Sequence, residues 1–130
     1  LYDTADRRRG KLLSNGAFAT MTYDNADHVT RLANIKSSGV TISSFDYLLD
    51  ATGNRSGVKE ANGDRVTWSY DPTYQLTRER RSGVNAYDVT YTYDPVGNRT
   101  RMRISGAPTT YTYDAANELS STLGDAVVVR

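Results

Sequence analysis

Cysteine is absent from this 130-residue chain, which excludes disulfides and thiolate metal sites and leaves the redox compartment open. Histidine occurs once, at His28, with no His-x-x-His or His-Glu pattern to suggest a metal site or a catalytic base. There is no Gly-x-Ser-x-Gly elbow, so Ser-His-Asp catalysis has no visible support. EF-hand spacing and the Gly-Gly-x-Gly-x-Asp pattern of calcium-binding β-rolls are missing too. The longest apolar run, 126–129, is far too short to cross a bilayer, and no signal peptide is visible. A surplus of one charge is lacking as well. The net charge of +1 argues against a nucleic-acid footprint. No window of about eleven residues carries a helical stripe.

What the chain has instead is tyrosine, ten of them against two Phe and one Trp. Tyr packs its ring and keeps a hydroxyl for water or a partner, which suits a sheet with one semi-polar face. Many of these tyrosines stand directly before an aspartate. Aligning on that Asp gives six copies, at Asp3, Asp24, Asp50, Asp71, Asp94 and Asp114, spaced by 21, 26, 21, 23 and 20 residues. The preceding residues are Tyr2, Tyr23, Leu49, Tyr70, Tyr93 and Tyr113. Three residues after the Asp come Asp6, Asp27, Gly53, Tyr74, Gly97 and Asn117. All but Tyr74 are residue types that accept left-handed backbone geometry. The Asp itself can close an Asx-turn. Between the Asp positions lie Asn15-Gly16, Ser38-Gly39, Asn62-Gly63, Ser82-Gly83 and Ser105-Gly106, a second set of turn signals. Each period therefore holds two strands and two turns.

The strand before each Asp alternates. Tyr87, Val89, Tyr91 and Tyr93 share a face opposite Asp88, Thr90 and Thr92, and Val66, Trp68 and Tyr70 oppose Arg65, Thr67 and Ser69. The basic residues fall mostly in the segments after the turns, where 14 of the 16 Lys and Arg lie. In the fifth such segment the alternation puts Arg99, Arg101 and Arg103 on one face and Thr100, Met102 and Ile104 on the other. Repeated placement of this kind is expected of a structural role, with Arg pairing to Asp or stacking on a cross-strand Tyr. His28 takes the polar turn position held elsewhere by Arg7, Asn54, Gln75, Asn98 and Glu118, and is expected to be a turn residue.

The run Tyr93-Asp94-Pro95-Val96-Gly97-Asn98-Arg99 resembles the Tyr-Asp-x-x-Gly-Asn-Arg signature of the Rhs/YD-repeat family. Asp50 to Arg55 matches it without the Tyr, and the other copies match the Tyr-Asp. The resemblance implies an all-β fold of tandem antiparallel hairpins in one twisted, spiralling sheet. It also implies a structural role in a large secreted or cell-surface protein, as part of a shell that encloses or presents another domain, in several relatives a toxin. The Asp-Pro-x-Gly-Leu signature of the family's self-cleaving segment is not matched, because Asn98 stands where the Leu would be.

The expectations are these. Residues 1–130 form a single array of about six repeats, cut mid-repeat at both ends, an excised piece of a longer one. The turn motif is carried by Tyr2, Asp3, Tyr23, Asp24, Asp50, Gly53, Tyr70, Asp71, Tyr93, Asp94, Gly97, Tyr113 and Asp114. No catalysis, cofactor, metal, nucleic acid or membrane insertion is expected. The partners are neighbouring repeats, an enclosed toxin domain, and other copies recruited through open strand edges, one of them in the run 126–129. A second reading remains open. Trp68, Tyr91 and Tyr111 stand in register from repeat to repeat, and such a row is either a packing ladder or a stacking platform for glycans, in a carbohydrate-binding or adhesion module at a cell surface.

Overall fold

The structure, a computed structural model, describes residues 1–124. The run 126–129, expected to open a further strand, lies outside the described residues. The fold is all-β, as the alternating pattern requires. It comprises β1 (Gly10–Leu12), β2 (Phe18–Tyr23), β3 (Val29–Ile35), β4 (Thr41–Leu49), β5 (Arg55–Glu60), β6 (Arg65–Tyr70), β7 (Leu76–Ser82), β8 (Tyr87–Tyr93), β9 (Arg99–Ile104), β10 (Ala107–Tyr113) and β11 (Leu119–Gly124). The strands lie in chain order in one open eleven-stranded sheet. The chain packs as two units, Leu1–Val66 and a second that starts at Thr67. Three of the repeat turns belong to each.

Turn chemistry explains the meander. At each repeat Asp the backbone closes a three-residue loop: the Asp N–H donates to the carbonyl four residues on, as in Asp94 to Asn98 (2.9 Å), and the third loop residue donates back to the Asp carbonyl. The third loop residue is left-handed in all six turns, with φ of 60° at Asp6, 66° at Asp27, 87° at Gly53, 63° at Tyr74, 94° at Gly97 and 62° at Asn117. This is a type I turn followed by a left-handed residue, a common way to match the twist of a hairpin. The intervening turns at Gly16, Gly39 and Gly63 use the same closure, with Asn15 and Asn62 accepting from the N–H two residues on. Ser105-Gly106 is the tight variant, left-handed at both residues.

Just before the Asp, the register shifts by one residue between Thr22 and Tyr23, Leu48 and Leu49, Thr92 and Tyr93, and Thr112 and Tyr113. Each shift leaves one extra residue on the return strand, a bulge. In three of them that residue's hydroxyl pairs across the ladder, Thr30 with Thr22 (3.0 Å), Thr100 with Thr92 (3.1 Å) and Ser120 with Thr112 (3.0 Å).

No large side chain is fully buried among the described residues. The best-covered apolar residues are small, Ala17, Ala33, Val58, Val66 and Val89. The tyrosine-bearing face is half-buried by its own neighbours, and the Thr- and Arg-bearing face of β8 and β9 is largely exposed. A single layer of this kind draws its cohesion from strand-to-strand contacts, repeat against repeat.

Candidate functional site

Each repeat Asp is a small hub. One carboxylate oxygen accepts from the backbone N–H groups two and four residues on. The pairs are Ala5 and Arg7 at Asp3, Ala26 and His28 at Asp24, Thr52 and Asn54 at Asp50, Thr73 and Gln75 at Asp71, Val96 and Asn98 at Asp94, and Ala116 and Glu118 at Asp114. In four turns the other oxygen takes the side chain four residues on: Arg7 Nε at 2.7 Å, His28 Nδ1 at 3.0 Å, Asn54 Nδ2 at 3.1 Å and Asn98 Nδ2 at 3.0 Å. Hydrogen bonds to the ionised form hold the carboxyls of Asp3, Asp24, Asp50 and Asp71 below the usual carboxylate range. At Asp3 and Asp24 the largest cause is the backbone N–H of Arg7 and of His28; at Asp71 it is the Thr73 hydroxyl. At Asp50 the Thr52 hydroxyl leads and the carboxyl falls to about 2. Every donor to these six carboxylates comes from within four residues of its Asp. Among the described residues no group of three or more acidic or His side chains could hold a metal ion.

The tyrosines before the Asp link one repeat to the previous one. The Tyr23 hydroxyl donates to the Arg8 carbonyl at 2.8 Å, Tyr93 to Leu76 at 2.8 Å, and Tyr113 to Arg99 at 2.9 Å. In each case the acceptor lies five residues after the preceding Asp. Leu49 has no hydroxyl and cannot make the link. Tyr70 takes the same place at the end of β6, half-buried, and Tyr2 pairs in a single bridge with Arg8 and is 62% exposed.

The aromatic row is interleaved with charge. Trp68 on β6 donates its indole N–H to Glu79 on β7 at 2.9 Å, and Glu79 also accepts from the Tyr87 hydroxyl on β8. The hydrogen bond to Glu79 is the main cause that pushes the Tyr87 phenol up to about 12. Arg99 on β9 lies between two rings, 5.8 Å from the Tyr91 centroid and 4.4 Å from that of Tyr111. The alternation of β9 places Arg99 with Arg101 and Arg103, and the structure corrects this. The bulge at Thr100 turns Arg99 onto the tyrosine face, while Arg101 and Arg103 stay exposed on the other. Arg7 over Tyr23 (4.9 Å) and Arg55 over Tyr47 (4.1 Å) make the same kind of stack. The expected pairing of Arg with Asp is also present, in Arg31 with Asp46 (2.9 Å) and Arg78 with Asp88 (2.9 Å). Trp68, Tyr91 and Tyr111 therefore do not form one continuous ring surface. Glu79 is the residue that sequence reading passed over. A lone acid in a basic strand, opposite Val89 and flanked by Trp68 and Tyr87, is the only trace it leaves.

His28 sits in its turn, bonded to Asp24, with its ring over Gly53. No helix among the described residues is long and apolar enough to cross a membrane.

No family model matches the chain, and no curated protein does. Solved structures do. A TcdB2–TccC3–Cdc42 crystal structure matches with a TM-score of 0.85 and 22% identity, over 95% of this chain and 7% of the other. The Tc holotoxin pore of Photorhabdus luminescens, with a mutated TccC3, matches with a TM-score of 0.84 and 22% identity, over 95% of this chain and 6% of the other. This chain thus spans a small fraction of the length of the chains it resembles, and the likeness is one of fold. Motif and fold agree: the Tyr-Asp repeats resemble those of the Rhs/YD-repeat family, and the chain is folded as a segment of these toxin complexes is folded.

Proposed function

We propose that this chain is a structural segment of a YD-repeat shell, within a larger secreted toxin or surface protein, where the sheet encloses or presents another domain. The observation that carries the reading is what the motif residues do. Tyr23, Tyr93 and Tyr113 tie one repeat to the one before it, and the six aspartates close turns. The residues that recur are spent on holding the sheet together, which suits a wall. The match to segments of a holotoxin supports the same reading.

The glycan-binding alternative needs free ring faces, and Arg99 lies over one face of Tyr91 and one of Tyr111. The test is limited proteolysis of the longer protein that contains this segment. Gly97→Val should expose the attached domain to cleavage, because a β-branched residue fits φ +94° poorly. Unchanged protection of that domain overturns the shell reading. So does glycan binding by the segment that is lost on Trp68→Ala or Tyr111→Ala.

A further inference from the structure

We infer that the side chain four residues after the repeat Asp, at Arg7, His28, Gln75 and Asn98, is a register key, fitted to the left-handed residue of the next Tyr-Asp turn. Four contacts show the fit, two in each unit. Arg7 of the first turn crosses to the second, donating to the Asp24 carbonyl at 3.0 Å and to the Asp27 carboxylate at 2.6 Å. His28 of the second turn lies so close over Gly53 of the third that a Cβ there would sit 2.6 Å from Nε2. Gln75 of the fourth turn lies against Gly97 of the fifth, where a Cβ would be 3.1 Å from Nε2. Asn98 of the fifth turn donates to Asn117 Oδ1 of the sixth at 3.1 Å.

The pairs are matched by kind. A long cation meets a carboxylate, a ring and a long amide each meet a glycine, and a short amide meets a short amide. Mismatches are easy to name. Arg7 beside a glycine would lose its acceptor, and His28 beside a residue with a side chain would lack room. The key is also aimed, because Arg7, His28 and Asn98 are each held by the Asp of their own turn.

Register needs such a device here. The backbone ladders of successive hairpins are alike, and a pairing that skips a hairpin keeps every tyrosine on its face. The alternating pattern alone cannot reject that error. The side chains where neighbouring turns touch can, because they differ from turn to turn.

A double-mutant cycle on the full chain tests this. Arg7→Asn keeps a donor for Asp3, as Asn54 and Asn98 do in their turns. Asp27→Asn keeps a residue that tolerates left-handed geometry. The double variant rebuilds the pair that Asn98 and Asn117 already form. Each single change should lower the urea midpoint. The double variant should unfold less readily than the two losses combined, by roughly two- to tenfold in the unfolding constant. The stack of Arg7 on Tyr23 is lost in both backgrounds and cancels. Additive losses overturn the key.

Should Arg7→Asn fail to fold, the second pair decides the same question. Gly53→Asn should destabilise the parent more than it destabilises a His28→Asn background. Equal losses in both overturn the proposal.

Discussion

Tyr74 is the residue that breaks the pattern of its five counterparts. It sits at φ 63°, in the place that Asp6, Asp27, Gly53, Gly97 and Asn117 occupy in the other turns. A left-handed backbone costs an ordinary side chain roughly 1–2 kcal/mol, and Asn much less. The turn around it is fully made, with Tyr74 N–H on the Asp71 carbonyl at 3.0 Å and Asp71 accepting from Thr73 and Gln75. The closure of the loop imposes the conformation whatever residue stands there. With Tyr74 60% exposed, little packing is lost on replacing it. Tyr74→Asn should therefore stabilise the chain by about 1 kcal/mol in chemical denaturation. No gain, or a loss, would show that the ring contributes more than its strain costs.

At the scale of the element, the turn is a carboxylate wrapped by donors, and its pH response follows. Asp50 accepts from the Thr52 hydroxyl at 2.7 Å, from two backbone N–H groups, and from Asn54. Its carboxyl falls from 3.8 to about 2 in the folded chain. A folded value below the unfolded one means that the contribution is fully present above the unfolded value and is lost as pH falls through the folded one. Asp3, Asp24, Asp71 and Asp94 shift in the same direction, so their losses fall in the same acid range. The urea midpoint should hold steady down to about pH 5 and then fall progressively toward about pH 2. Asp50→Asn should flatten part of that fall; an acid limb identical to the parent's would remove Asp50 from the explanation.

These turns were legible in the chain because everything they need lies within five residues: an Asp, a residue that tolerates left-handed geometry, and a polar side chain at the fourth position. Strands were legible for the same reason, from alternation. The position of Arg99 was not, because the bulge at Thr100 moves it to the other face, and a period of two carries no mark of where the ladder slips. The contacts of Arg7 with Asp27 and Asn98 with Asn117 were hidden too. They join residues 20 and 19 apart, and only the stagger of the folded hairpins brings them together.

At the scale of the whole molecule, β11 closes the strand order among the described residues. Every residue of β11 is exposed, Leu119 at 55% and Leu123 at 78%. An exposed strand at a sheet end is a template for another chain, and pairing the last strand of one copy with the residues that run into the first turn of another is a heterologous contact that can propagate. The turns set a condition on that contact. In such a pair Glu118, four residues after Asp114, would face Asp6, the left-handed residue of the first turn, and two carboxylates would meet where Arg7 meets Asp27 within the chain. Like charges at close range oppose docking. Association should accordingly be weak at neutral pH. Glu118→Arg should strengthen it by recreating the cation–carboxylate pair, and Leu123→Lys added to that variant should weaken it again. Light scattering across a concentration series reads all three chains. If Glu118→Arg scatters as the parent does at every concentration, the turns do not govern which edge is accepted. If the parent itself associates strongly at neutral pH, the meeting of Glu118 with Asp6 is not a barrier and the edges pair by backbone alone.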